Sequence, residues 1–380
     1  MPYNQMPFFL ILPFKKNGII NIELTNIART LFNKHIAFCL YRFPGERAYR
    51  LAVEEKYLTS RRAAFFTMVP FVETSTATAL RLAIVNNSEL DDVALVAGSL
   101  PDQNIQWYPL PAETTRDEYF TRIAYFLNEL RNGSMDKVVL SRVILVDKPA
   151  AFDPFNCFEN LSLAYPETFT YLLYHPVSGM WSAASPELLL QNSGGVFETM
   201  ALGGTQPKNE SHGYQWRDKE MEEHAMVVRH IESVLGSGGA KIVEKKGPIT
   251  IETGRVAHLQ TNFSFTLDNT RNMQDLVDAL HPTPAVAGLP VQPSVDLLKE
   301  HEGYDRRYYC GYLGETDWQR QARLFINLRC MQIGQHNIAI YCGGGITAAS
   351  DAAEEWNETE QKSLTLLNKI VPAVNLHKEA

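Results

Sequence analysis

Two acidic stretches have residue types and spacing suited to metal chemistry. One holds Glu222, Glu223 and His224, and the other, 354–362, reads EEWNETEQK. On a helix Glu355, Glu358 and Lys362 fall at i, i+3 and i+7, hence on one face. Carboxylates from two such helices can converge on a hard divalent cation. Mg²⁺ typically takes one or two carboxylates and keeps sites for water and an anionic substrate. The same pattern also suits a solvated face with a Glu358–Lys362 pair worth ~0.3–0.5 kcal/mol. Arg329 interrupts an apolar run, where a guanidinium wants a bidentate partner, either a substrate carboxylate or a structural ion pair. Gly343, Gly344 and Gly345 close another apolar run; they either bring main-chain N–H groups up to an anion or make a tight turn. Lys137 opens a third apolar run, as a working amine or as a solvated strand end.

These side chains need elements to hold them. Thr115 and Glu118 form a capping-box pattern, followed by Phe120, Ile123, Phe126, Leu127 and Leu130 at helical spacing, with Asn132 and Gly133 as the stop. Residues 137–146 then read as a strand, and so do 168–174, 255–266, 322–331 and 338–342. The acidic stretches sit on helices expected over about 218–235 and 352–370. Short alternating runs at 36–41 and 63–71 occupy the first 112 residues, and the proline-bearing segment 100–111 reads as a connector. Strands far outnumber the helices between them, so the pattern is α+β and not a regular βαβ wind.

Several function classes are excluded. No G-x-G-x-x-G opens a helix after a strand, and there is no P-loop, HExxH or G-x-S-x-G. The chain of 380 residues has a net charge of −8, and no Lys/Arg run exceeds a pair, so nucleic acid is not an expected partner. Hydrophobic residues at 45% and charged residues at 21% are those of a globular protein. The five cysteines, Cys39, Cys157, Cys310, Cys330 and Cys342, lack CxxC spacing, which argues against a disulfide framework or a cysteine zinc site. The apolar stretch 6–14 is too short for a membrane span of ~20 residues and lacks a basic flank. The expectation is a soluble, cytoplasmic protein.

Taken in order, nine segments form a specific set: 137–142 (KVVLSR), 185–190 (SPELLL), 199–205 (TMALGGT), 223–224 (EH), 281–288 (HPTPAVAG), 309–311 (YCG), 327–329 (NLR), 343–346 (GGGI) and 355–362 (EWNETEQK). This set resembles the chorismate-utilising enzymes: the isochorismate, salicylate, anthranilate and aminodeoxychorismate synthases. The resemblance covers roughly 115–372, and 40–45 (LYRFPG) is similar to the N-terminal part of isochorismate synthases. It implies one α+β domain over 1–380, with a variable part at 1–112 and a chorismate-binding core at 113–375. The implied fold is two large antiparallel sheets packed face to face with helices outside.

The resemblance points to the isochorismate synthase branch. Lys137 occupies the position where water-using members carry a lysine base. Gly203 stands where aminodeoxychorismate synthases carry the lysine of a PIKGT segment, and isochorismate synthases usually have alanine there. Ala285 stands where pyruvate-releasing members tend to carry threonine, which argues against salicylate synthase. By resemblance, Lys137 is the base and Glu187 the acid. Both roles call for inverted ionisation, since free lysine titrates near ~10.4 and free glutamate near ~4.3. Burial shifts each in the needed direction. Mg²⁺ would bind through Glu223 and Glu358, with Glu355 helping through water. Substrate contacts would come from Tyr309, Arg329, Lys362 and main-chain N–H groups near Gly343, Gly344 and Gly345. Thr205 and His224 join them, or are core hydrogen-bonding residues. The expected enzyme is an Mg²⁺-dependent monomer without an amidotransferase subunit, feeding menaquinone synthesis; a siderophore route or salicylate formation is the alternative.

Overall fold

The structure, a computed structural model, describes residues 14–58, 62–208, 213–268 and 272–370. The apolar stretch 6–14 therefore lies, but for Phe14, outside the described residues. The strands are β1 (Phe38–Arg42), β2 (Arg50–Val53), β3 (Phe65–Val69), β4 (Leu80–Ile84), β5 (Lys137–Asp147), β6 (Phe169–His175), β7 (Gly179–Ser185) and β8 (Leu188–Ser193). They continue with β9 (Val196–Pro207), β10 (Lys241–Thr253), β11 (Val256–Thr266), β12 (Gly288–Leu289), β13 (Tyr312–Thr316), β14 (Ala322–Ile326), β15 (Cys330–Ile333) and β16 (Asn337–Ile346). The helices are α1 (Phe14–Asn33), α2 (Leu90–Ser99), α3 (Arg116–Arg131), α4 (Pro154–Ala164), α5 (Asp218–Ser237), α6 (Met273–Leu280), α7 (Val291–His301) and α8 (Ala352–Ile370).

Among the described residues, sixteen strands join one antiparallel ladder, in the order β10-β11-β9-β8-β14-β13-β3-β4-β2-β1-β6-β7-β15-β16-β5-β12. The ladder folds back on itself. Phe325 on β14 and Phe169 on β6 are six places apart in that order, which in a flat sheet is roughly 29 Å at ~4.8 Å per strand. Their rings stack with centroids 4.7 Å apart and planes 8° apart. The ladder is thus two antiparallel layers, face to face, hydrogen-bonded to each other along one edge.

Alternation along the strands sorts side chains between two cores. On β1, Cys39 and Tyr41 enter one cluster, while Phe38 and Leu40 enter another. The first cluster also receives Tyr119, Phe126, Ile231 and Leu298 from α3, α5 and α7. The second receives Leu31, Val93, Phe158 and Leu366 from α1, α2, α4 and α8. Strands buried on both faces account for the near-continuous apolar runs of the sequence.

The capping box of α3 forms, with Glu118 N donating to Thr115 Oγ1 at 3.3 Å and Thr115 N donating to the Glu118 carboxylate at 2.8 Å. The expected strand 322–331 is corrected to two, β14 and β15. Arg329 between them has φ +49°, a left-handed conformation that no strand continues through. The three glycines do not end a strand as expected; β16 runs through them to Ile346. Among the described residues no helix is long and apolar enough to cross a membrane.

Candidate active site

Glu187 follows Pro186 between β7 and β8. Its carbonyl accepts from Ile326 N at 3.0 Å, which pins the corner to β14. The side chain is 2% exposed. Burial pushes its carboxyl up to about 8, against the opposing pull of Lys137 and Lys362. Glu187 therefore carries its proton at neutral pH.

Lys137, the first residue of β5, is 1% exposed, with Nζ 3.0 Å from Glu223 Oε1 on α5. The glycines of β16 make room for this pair. A Cβ on Gly345 would overlap the Glu223 carboxylate and lie 2.8 Å from Lys137 Cε; one on Gly343 would lie 2.9 Å from the Tyr309 hydroxyl. On the opposite side of the strand, a Cβ on Gly344 would meet Glu355 Oε2 at 3.1 Å and Glu358 Oε1 at 3.5 Å.

The ladder also settles where these glycines' main-chain groups point. Gly343 pairs with Ser141 and Gly345 with Val139 on β5. Ser141 N donates to Glu302 Oε1 and Val139 N to Ala287 O, both away from β16. These are the non-hydrogen-bonded pairs of the ladder, so Gly343 and Gly345 turn their own groups away from β5. β15 pairs with β16 only as far as Ile340, which leaves that edge open. The Gly343 carbonyl there accepts from Lys362 Nζ at 2.8 Å. Gly344, in the alternate register, spends its main-chain groups on β5.

Arg329 reaches the same cavity from the corner between β14 and β15. Its hydrogen-bond partners, Thr365 Oγ1 at 3.1 Å and His258 Nε2 at 3.0 Å, are both neutral. Burial draws the guanidinium below its ordinary pKa, though far above neutrality. His258 on β11 was not among the expected residues. Its Nδ1–H donates to Gly204 O at 2.9 Å, so Nε2 keeps a lone pair for Arg329. Burial and the Arg329 charge hold His258 well below its ordinary pKa, hence neutral. Thr205 lines the cavity, with Oγ1 3.3 Å from His258 Nδ1. Of the two readings of His224, its placement fits the core hydrogen-bonding residue. Its ring packs behind Gly203, outside the cavity lining, and its Nε2 pairs with Thr261 Oγ1 at 2.8 Å.

The three expected metal ligands each meet a lysine. Glu223 pairs with Lys137, Glu355 with Lys219 at 2.5 Å, and Glu358 with Lys362 at 2.6 Å. In this arrangement no group of three or more His, Cys, Asp or Glu among the described residues is gathered as a metal cluster. The donor chemistry still fits a hard cation, since all three are carboxylates beside one glycine strand. Burial and the neighbouring Glu358 charge raise Glu355 to about 7, a crowding of acids that added positive charge relieves.

Lys137, Glu187, Glu223, Thr205, Tyr309, Arg329, Gly343, Gly345 and Lys362 line one cavity, together with Leu202, Gly203, Ala285 and Val286. A basic-plus-protonated-acid pair facing a guanidinium suits acid–base work on a small anion.

Comparison with known proteins agrees with this chemistry. The family model described as chorismate binding enzyme matches residues 50–371. Isochorismate synthase EntC of Escherichia coli (strain K12) is 30% identical over 267 residues, 68% of each chain. The vibriobactin-specific isochorismate synthase of Vibrio cholerae is 27% identical over 260 residues, 66% of each chain. The solved structure of MenF, the menaquinone-specific isochorismate synthase from Escherichia coli, is similar with a TM-score of 0.70, covering 91% of each chain at 18% identity, a likeness of fold.

Proposed function

The chain belongs to the chorismate-binding enzymes, and on that premise we propose that it is an isomerase converting chorismate reversibly to isochorismate. The observation that carries this reading is the pairing, in one cavity, of a buried protonated acid with a buried lysine. Water adds at C2 of chorismate and hydroxide leaves from C4. Lys137 in its unprotonated form takes the proton from the attacking water, and Glu187, protonated up to about pH 8, gives its proton to the departing hydroxyl. The water that enters and the water that leaves balance, so the product is an isomer.

Arg329, held by His258 and Thr365, takes the enolpyruvyl carboxylate together with Tyr309 and the N–H groups of Gly343 and Gly345. Glu223 and Glu358 would hold Mg²⁺, with Glu355 helping through water. The ion would supply positive charge against the ring carboxylate. Gly203 leaves no lysine to attack C2, which supports water as the nucleophile. Ala285 at the cavity wall supports release of isochorismate without loss of pyruvate.

We further propose a cytoplasmic monomer acting without an amidotransferase subunit and serving menaquinone synthesis. The siderophore route named for the Vibrio cholerae relative is the alternative. Incubating the purified protein with chorismate and Mg²⁺ and resolving the products tests the reaction. Isochorismate in a reversible mixture, free of pyruvate, is expected. Salicylate with equimolar pyruvate, or no turnover, refutes it. Menaquinone depletion on gene disruption tests the route.

A further inference from the structure

The two corners that carry Tyr309 and Arg329 into the cavity are both strained, and both are tied to one buried side chain. Cys310 has φ +63° and Arg329 φ +49°. Neither is glycine, so each left-handed residue persists only because its surroundings over-determine it. The tie is Asn327, 0% exposed. Its Nδ2 donates to Tyr308 O at 2.8 Å, and its Oδ1 accepts from Tyr171 OH at 3.0 Å. Its main chain closes the other two links. Asn327 N donates to Gly311 O at 2.7 Å, and Asn327 O accepts from Cys310 N at 3.0 Å.

The ring of bonds thus spans 308–311 on one corner and 327 on the other. Beyond it, Arg329 O accepts from Ala184 N at 3.3 Å, and His281 Nε2 donates to Cys310 O at 2.9 Å. Neither outer link spans the gap between the two corners. Asn327 does, one step beyond the Tyr312–Ile326 pair that ends the β13–β14 ladder, and it lies outside the cavity lining.

We propose that Asn327 is a positioning residue that sets the separation of Tyr309 and Arg329, and with it the fit of the enolpyruvyl carboxylate. This rests on the chorismate-binding reading above. An apolar side chain would fill the core there, but it would leave the Tyr171 hydroxyl unpaired in a buried place and Tyr308 O held by Gly311 N alone. The corners would then relax toward ordinary backbone conformations, and the two substrate contacts would drift apart.

The test measures KM and kcat for chorismate in Asn327→Ala, Tyr171→Phe and Arg329→Ala proteins and in the Asn327→Ala/Arg329→Ala double variant. Asn327→Ala should raise KM by about ten-fold, the cost of one or two buried hydrogen bonds, with kcat changed less. Tyr171→Phe, which removes one hydroxyl from the same ring, should raise KM by about three-fold. In the Arg329→Ala background Asn327→Ala should add little, because both act on the same contact. A merely structural Asn327 would instead reduce the folded fraction and so the apparent kcat, with KM unchanged. That outcome overturns the inference. Should Asn327→Ala fail to fold, an unchanged KM in Tyr171→Phe overturns it equally. Failure of the chorismate reading is separate and visible, because the wild-type protein itself would then show no chorismate turnover.

Discussion

Replacing Glu187 by glutamine should make the protein more stable and nearly inactive. The folded chain holds this carboxyl at about 8 against an ordinary 4.5, because burial disfavours the charge more than Lys137 and Lys362 favour it. Below about pH 4.5 the group is protonated folded or unfolded and costs nothing. As pH rises toward 8 the unfolded chain ionises and the folded chain does not, so stability is lost at ~1.36 kcal/mol per pH unit. The loss reaches about 3 kcal/mol at pH 7 and levels off above pH 8 at roughly 5 kcal/mol. A glutamine side chain occupies nearly the same volume and never ionises, so Glu187→Gln removes this loss. Urea unfolding of both proteins at pH 4.5, 7 and 8.5 reads it directly. The variant should match wild type at the lowest pH and gain progressively above it. Turnover should fall by ~10²–10⁴-fold, the usual worth of a positioned acid. A stability difference that does not change with pH would refute the protonated state of Glu187, and with it the acid role.

The other expectations concern the opposite wall. Lys137→Ala should abolish water addition while chorismate still binds, as read by product chromatography and by ligand titration; surviving turnover would remove Lys137 as the base. Gly345→Ala places a methyl against Glu223 and Lys137 at an ordinary strand conformation. It should push that ion pair aside and lower kcat by about 100-fold, as a misplacement near 1 Å does. Chelation of divalent ions should stop turnover and Mg²⁺ should restore it. Glu358→Gln should raise the Mg²⁺ concentration for half-maximal activity at least ~10-fold, with an unchanged circular dichroism spectrum. Normal activity at low Mg²⁺ would take Glu358 out of the metal site.

Legibility in the sequence followed the range of the physics involved. α3, α5 and α8 were readable because caps and helical periodicity are local, and their expected starts at 116, 218 and 352 are where the helices begin. The 322–331 run was misread because its apolar pattern continues across a corner. What breaks it is Arg329 in a left-handed conformation that arginine rarely adopts. The folding-back of the ladder was not readable at all from local pattern. β1 to β4 come first in the chain yet sit in the middle of the strand order, held by partners such as β6 and β13 far along the sequence. At the site, acids and lysines stood out because charge in an apolar run is conspicuous. His258 and Asn327 did not, because a neutral histidine and an amide become meaningful only once their partners are known.

The charges around the cavity bear on why an acidic chain can receive a dianion. Glu223 and Glu358 are matched by Lys137 and Lys362, so these two pairs sum to zero, while Glu355, which faces Lys219, lies outside the cavity lining. Glu187 is protonated and His258 is neutral at pH 7. Arg329 remains, its partners uncharged, and gives the cavity a net charge of one positive. A dicarboxylate entering alone would leave the assembly one negative in a place that water screens poorly. A divalent cation entering with it would return the balance to one positive. Chorismate affinity should therefore depend on the divalent ion more steeply than on monovalent salt, whose effect falls on exposed charges a Debye length apart. Titrating chorismate into the Arg329→Ala protein separates the two sources of positive charge. If Arg329 supplies the only unmatched charge of the protein itself, binding there should require the cation outright. Retained cation-free binding by that variant would mean that one of the lysines is not spent on its glutamate.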